Sequence, residues 1–438
     1  MKIWRNLEKV YVVISMLFMA NGLIPRTITE GDLNAAIQQG PSDRYGQLIV
    51  YSLLVPLLLL HRRRILYGLR HSGWIVALCG LALTSLLWSY NWRFTLQRGL
   101  LLSIATLFAI YVATCFDWEE QLNLFAWLSL VSVVGSAFMA VFVPSYGFSQ
   151  DMHQGAVKGL FPHKNMMGRQ MAFAVLTMWL TKPTSMPRWL RVGTLMGAGL
   201  LLVLSRAETA LVSLILCLVL YPVIRVFQLK KPNTLPLWIP LTPICGMAAL
   251  FVLSNLGGLT GIIGRSATLT GRMPIWTAVL SAIGEHPWFG YGHDVFWSRW
   301  SVDLAKVNQV LGFHPPHAHN GYLDILLGMG VVGLLVFLGG FVTNFLRALR
   351  AFKAEDIPGA RWPLFVLIFF AAFNLGESNI LRGLTFLWIP YVSIYVSLAM
   401  MAAESRVAAF ATSPLTNEAG YEAEEGAGVS GVAPGYGV

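Results

Sequence analysis

Three histidines crowd one short stretch of this chain, His314-Pro315-Pro316-His317-Ala318-His319-Asn320-Gly321-Tyr322. Imidazole takes or gives a proton near neutral pH, so such a run suits general acid–base chemistry. The other conspicuous groups are cations at the ends of apolar runs, among them Arg98, Lys164, Arg169, Arg206, Arg272 and Arg382. Arginine offers phosphate a planar fork of donors. A single arginine beside a membrane often only snorkels to headgroups. Arg169 and Arg206 differ, because they sit inside or against apolar helices, where charge is costly. Arg206 could pair with Glu208 or face a pocket. The carboxylates that stand out among these cations are Glu208, Asp294, Asp303 and Glu377. A base among phosphate-binding cations is what group transfer from an anionic leaving group requires. The three imidazoles also admit a zinc site. Against it, no cysteine or carboxylate lies at ligand spacing, and the Pro-Pro turn leaves the direction of His314 and His317 undefined. Both are read as loop residues.

The elements that must position these groups are membrane helices. The chain has 438 residues, 56% of them hydrophobic and only 12% charged, with a mean hydropathy of +0.62. Many apolar runs approach the ~20 residues that a helix needs to cross a bilayer. The expected fold is all-α, a polytopic bundle of about twelve spans: 9–25, 47–60, 74–88, 99–115, 121–143, 166–181, 190–205, 209–227, 236–257, 321–346, 363–375 and 384–403. Basic clusters such as Arg62-Arg63-Arg64 and Lys230-Lys231 mark the inner side. Both termini are then cytoplasmic, and the 258–320 loop faces outward. Within that loop Ile275, Trp276, Val279, Leu280 and Ile283 recur at helical spacing, predicting a short surface helix with Arg272 at its N-terminal end. Residues 1–403 form the catalytic bundle, and 404–438, rich in Gly, Ala and Glu, a disordered tail. Cys79, Cys115, Cys217 and Cys245 lie scattered in apolar runs, as small buried side chains rather than disulfide partners.

The motifs in this order resemble a known family. His319-Asn320, nine residues, then Gly330-Val331-Val332-Gly333 is similar to a signature of the O-antigen ligase and polymerase superfamily. Leu269-Thr270-Gly271-Arg272 with Trp276, and Pro287 with Gly290-Tyr291-Gly292, look like parts of the same domain. Trp88-Ser89 with Leu96-Gln97-Arg98, Gly159 to Gly168, and Asn374-Leu375-Gly376-Glu377-Ser378 lean toward its exopolysaccharide (succinoglycan-type) polymerase branch. The resemblance covers about residues 75 to 400. It implies a metal-independent glycosyltransferase of the GT-C type, using a glycan on undecaprenyl pyrophosphate at the periplasmic face of the inner membrane. It implies His319 as general base, and Arg272 and Arg206 as pyrophosphate ligands. The Ser205-Arg206-Ala207-Glu208-Thr209 turn departs from the family pattern, as does the extra pair His314 and His317.

On this reading Asn320 caps the helix that follows and borders the substrate. Arg98, Lys164, Arg169 and Glu377 complete the substrate-binding set, with Lys164 open to a capping role and Glu377 to orienting an arginine. The expected partners are the lipid-linked donor, an acceptor glycan, membrane lipids, and chain-length regulator and export proteins. Neither nucleic acid nor a cofactor is among them. Two other functions stay open: a ligase that moves finished glycan to lipid A–core or another acceptor, and a flippase of lipid-linked sugars.

Overall fold

The computed structural model describes residues 2–20, 41–150, 154–228, 268–298, 301–311, 315–353, 359–382 and 385–411. In chain order its helices are α1 (Lys2–Met19), α2 (Pro41–Leu60), α3 (Arg62–Arg70), α4 (Gly73–Thr84), α5 (Trp92–Cys115), α6 (Trp118–Phe142), α7 (Lys164–Leu180), α8 (Arg188–Leu204), α9 (Glu208–Gln228), α10 (Thr268–Glu285), α11 (Val302–Leu311), α12 (Gly321–Lys353), α13 (Arg361–Phe373) and α14 (Trp388–Ala411). No strand occurs among the described residues, only an isolated bridge between Phe148 and Val157. The all-α expectation holds.

Among the described residues four helices are long and apolar enough to cross a membrane: α5, α6, α9 over Glu208–Arg225, and α12. A fifth candidate is α3 with the segment Gly73–Leu87, a pair bent by 93°. The other described spans fall on helices that do not meet that test, and 236–257 lies outside the described residues. At 1.5 Å per residue, the 17 residues of α7 reach only about 26 Å. The 13-residue α13 is wrapped by its neighbours, with Trp362 to Leu367 all buried. Apolar content therefore located helices well, and four or five of them, among the described residues, are long and apolar enough to cross a membrane.

The core is aromatic. Trp362 packs against Trp118, Phe125 and Phe173, and gives its indole N–H to Thr177 Oγ1 at 3.1 Å. Trp388 does the same to Thr106 Oγ1 at 2.9 Å. Each indole is thus buried with its polar edge satisfied. Cys79, Cys115 and Cys217 are unpaired; Cys245 lies outside the described residues. The last helix runs on to Ala411, eight residues into the segment expected to be disordered.

One break in this regular packing matters for the site. Helix α12 is interrupted at Gly330, whose φ of 64° is left-handed. The 287–292 loop enters the break. Tyr291 and Gly292 donate backbone N–H to the carbonyls of Leu327 and Gly328 at 2.8 and 3.0 Å. Val331 and Val332 donate to Pro287 and Trp288 at 2.8 and 3.2 Å. A Cβ on Gly330 would collide with the Trp288 carbonyl, and one on Gly290 with that of Leu327. Backbone meets backbone here, and only glycine leaves the room. The two glycine motifs of the sequence are therefore the halves of one joint.

Candidate functional site

The His319 segment runs from the described residue Pro315 into α12, while His314 lies outside the described residues. Asn320 is the cap the sequence suggested: its Oδ1 accepts the N–H groups of Tyr322 and Leu323 at 3.0 and 3.2 Å. Gly321 donates its N–H to the Asn374 carbonyl at 2.8 Å, which draws the 374–379 loop against the helix start. His319 itself has φ 50°, an uncommon conformation for a residue with a side chain.

That loop brings Glu377 to the centre. The carboxylate is 7% exposed and gathers groups from three elements. Asn165, on α7, donates to Oε1 at 2.7 Å. Arg272, on α10, lies 3.4 Å from the same oxygen. His319 Nδ1 faces the other oxygen, Oε2, at 3.6 Å, just outside direct hydrogen-bonding length. Loss of solvent works to raise the Glu377 pKa. His319, Arg272 and His163 outweigh it and hold the carboxyl below its usual range. Glu377 thus lies against the guanidinium of Arg272.

The motif spacing on α10 now has a reason. Arg272 and Trp276 are four residues apart and share a helix face. Arg272 reaches Glu377, and Trp276 donates its indole N–H to the Ala318 carbonyl at 2.9 Å. One expectation for this helix needs correction. It begins at Thr268, so Arg272 stands in its second turn rather than at its N-terminal end. Ile275, Val279 and Ala282 are buried against the protein, while Leu280 is 56% exposed.

Helix α7 supplies the floor. His163 caps it, Nδ1 accepting the Asn165 N–H at 3.2 Å. Lys164 donates Nζ to the Arg206 carbonyl at 3.2 Å. Arg169 is 4% exposed and donates through one terminal nitrogen to Asn379 Oδ1. Its Nε and other terminal nitrogen are buried without a partner among the described residues. Arg206 occupies the tight α8–α9 turn at φ 51° with its side chain exposed. Its turn reaches the same place, because Gly376 lies beside both Thr209 and Arg272.

Arg98 is not brought to Glu377. It pairs instead with Asp294 at 3.4 Å. Asp294 also faces Arg382 at 3.8 Å, and Arg382 faces Asp324 at 3.5 Å. Asp324 is the residue sequence reasoning missed. It sits in the first turn of α12 within an otherwise apolar run, and that isolation was the signal available. His317 also needs upgrading from a loop residue. Its ring centroid is 4.1 Å from that of His319, and its Nδ1 accepts the His319 N–H at 3.1 Å. Desolvation first, then His319, Arg382, Arg272 and His163, push its pKa well below the ordinary histidine range, so it stays neutral.

His317, His319 and Glu377 bring three potential ligand atoms within 4.8 Å of one another, and could hold a metal ion. His317 Nδ1 is engaged by a backbone N–H and Glu377 Oε1 by Asn165 and Arg272, which leaves His317 Nε2 and Glu377 Oε2 as the atoms that could face an ion, with a guanidinium beside the carboxylate.

Comparison with known proteins fits this arrangement. Residues 193–338 match the O-antigen ligase family. Over 354 residues, 76% of this chain and 79% of the relative, the sequence is 23% identical to the exopolysaccharide production protein ExoQ of Rhizobium meliloti. These matches make the chain similar to the O-antigen ligase family over residues 193–338, and to an exopolysaccharide production protein over most of its length. An O-antigen ligase of Pseudomonas aeruginosa is 28% identical over 130 residues, which is 28% of this chain and 29% of that protein. The stretch that matches the O-antigen ligase family contains Arg206, Arg272 and His319. Lys164, Arg169 and Glu377 fall outside it, yet the fold packs them into the same site.

Proposed function

We propose that this protein is a GT-C-type glycosyltransferase that polymerises polysaccharide repeat units carried on undecaprenyl pyrophosphate. The observation that carries the reading is the meeting of His319 and Arg272 on one buried carboxylate, Glu377. A proton acceptor and a phosphate-binding cation are thereby held a short distance apart, as transfer from a sugar pyrophosphate needs.

The acceptor hydroxyl gives its proton to Nε2 of His319, while Nδ1 carries its own proton toward Glu377. The acceptor oxygen bonds to the donor's anomeric carbon as the bond from that carbon to the pyrophosphate oxygen breaks. Both electrons of the broken bond leave with the pyrophosphate. Arg272 and the exposed Arg206 meet that charge, with Lys164 and Arg169 behind them. Displacement in one step inverts the anomeric centre. Proton transfer of this kind contributes about 10²–10⁴-fold.

The setting of such an enzyme is the bacterial inner membrane, crossed about twelve times, and the distribution of lysine and arginine supports cytoplasmic termini and a site facing the periplasm. Acceptor glycan, membrane lipids, and chain-length regulator and export proteins are the partners of such an enzyme. Similarity to the Pseudomonas ligase favours one second reading, transfer of finished glycan to a separate acceptor.

Purified protein incubated with lipid-linked repeat units alone tests the choice. Elongation supports a polymerase. Product that appears only after a separate acceptor is added means a ligase, and no product with either means a transporter. His319→Ala should abolish elongation in protein that still folds, and full activity would remove His319 as the base. Chelation should leave the rate unchanged. A loss restored by one divalent metal would give the His317–His319–Glu377 triad to that metal instead.

A further inference from the structure

His319 is held in a left-handed backbone conformation that costs energy for any residue with a Cβ, so something must enforce it. The Glu377 side of the site does not, because its contact is with the imidazole. The peptide preceding His319 is gripped instead. Its carbonyl, on Ala318, accepts from Trp276. Its neighbouring N–H, also on Ala318, donates to Asp324 Oδ1 at 3.2 Å. The same oxygen accepts the Trp297 indole N–H at 2.7 Å. The other oxygen, Oδ2, faces Arg382, which leads to Asp294 and then to Arg98 on α5. Asp294 and Leu381, the neighbour of Arg382, are themselves left-handed at φ 57° and 56°. The chain is bent out of its usual conformations to assemble this second charged cluster.

We propose that Asp324 is a positioning residue for His319: its carboxylate fixes the Ala318 peptide and so the direction in which the imidazole meets Glu377. A plainer role exists, since an acid in a first helical turn favours the helix N-terminus. The geometry separates the two. Asp324 reaches backward, over the start of α12, to an N–H outside the helix and to an indole on another segment. The proposal rests on the reading of His319 as the base, and its test is built to tell the two apart.

The measurement is the rate at which diethylpyrocarbonate modifies His319 in the purified full chain, read by mass spectrometry, beside kcat and KM for lipid-linked repeat units. In Asp324→Ala the labelling of His319 should rise several-fold. In the same variant kcat should fall by about 10- to 100-fold, the size of effect that slight misplacement of a reacting group produces, with KM little changed. Asp324→Asn keeps an acceptor at Oδ1 and should restore most of both. Unchanged labelling in Asp324→Ala overturns the proposal, as does Asp324→Asn behaving like the alanine variant. Raised labelling with undiminished turnover supports the positioning role and overturns His319 as base. Should Asp324→Ala fail to accumulate, Trp297→Phe takes its place. It frees one donor from the same oxygen, and an intermediate rise in labelling is expected, with no rise counting against the proposal.

Discussion

Helix α5 connects two charged clusters of opposite character. Near its start Arg98 pairs with Asp294 beside the His319 segment, and at its end the Cys115 carbonyl accepts from Arg5 at 2.8 Å. Around Arg5 every charge has a close partner. Glu8 receives Arg5 at 3.2 Å and His61 at 3.1 Å, while Glu120 receives Lys9 at 2.9 Å and Arg5 as well. Arg5 also lies 4.1 Å from the centroid of the Phe116 ring. The cluster joins α1, the α2–α3 turn and α6, and each of these charged groups has a partner of opposite charge. Around Glu377 the accounts do not close. Arg169 buries two nitrogens without partners, and Arg206 points its charge outward. Among the described residues, the left-handed non-glycine positions are Arg206, Asp294, His319 and Leu381, and all belong to this end. Strain and unmet hydrogen-bonding capacity persist where the surrounding structure imposes them for a purpose. One cluster has the pairing of a fastening, and the other is where we propose the site.

Substituting the central arginine of each cluster should break the symmetry most widely. Arg272→Gln is expected to lower turnover by about 10²–10³-fold, the scale seen when one donor to a developing negative charge is removed. Arg5→Gln should leave turnover unchanged and lower the unfolding temperature in detergent. Comparable losses of turnover from both would erase the distinction. Next in size is a pair of glycine substitutions. Gly330→Ala forces a Cβ against the Trp288 carbonyl at a left-handed φ, a cost of about 1–3 kcal/mol or more, read as lower yield and unfolding temperature. Gly80→Ala, in an open stretch of α4 with nothing within 4 Å of the added carbon, should be neutral or stabilise by up to about 1 kcal/mol.

What was legible in the sequence follows from the kind of signal involved. Helices were legible because apolar runs in a membrane protein are nearly continuous, and twelve expected spans found helices wherever the structure describes them. Whether a helix faces lipid was not, since apolar length alone cannot tell a lipid-facing helix from one sheathed by others, as α13 is. His319, Asn320 and Arg272 were legible because a charged or polar residue beside a glycine-spaced apolar run is conspicuous. Glu377 was noticed but given two roles, because its position rests on a hydrogen bond from Gly321 to Asn374 that no local pattern announces. Arg98 was placed on the substrate by its location at a helix end. Only the turn of the 287–298 loop, set by glycines at 290 and 292, delivers Asp294 to it. Asp324 escaped notice because its partners, Trp297 and the Ala318 N–H, come from outside its own helix.

The smallest expected effect concerns acid, and its sign can be worked out. His317 has a folded pKa well below its ordinary 6.5, so on acidification the unfolded chain takes up a proton that the folded chain resists. Stability then falls as pH drops below about 6.5. His293, which burial pushes down to about 4, acts in the same direction. Glu377, held below its ordinary 4.5, contributes stability that is present above that value and lost as pH falls through its folded pKa. Between pH 7.5 and 5.5 the two histidines therefore act while Glu377 does not. His317→Asn keeps an acceptor near the His319 N–H and removes one titrating group. The drop in unfolding temperature across that interval should be smaller in His317→Asn than in the parent protein, with the share due to His293 still present. Equal drops would mean that His317 is as easily protonated in the folded site as in the open chain, and a second cation would then sit within reach of Glu377 and Arg272. In that case His317, rather than His319 alone, would have to be counted among the groups that share the proton.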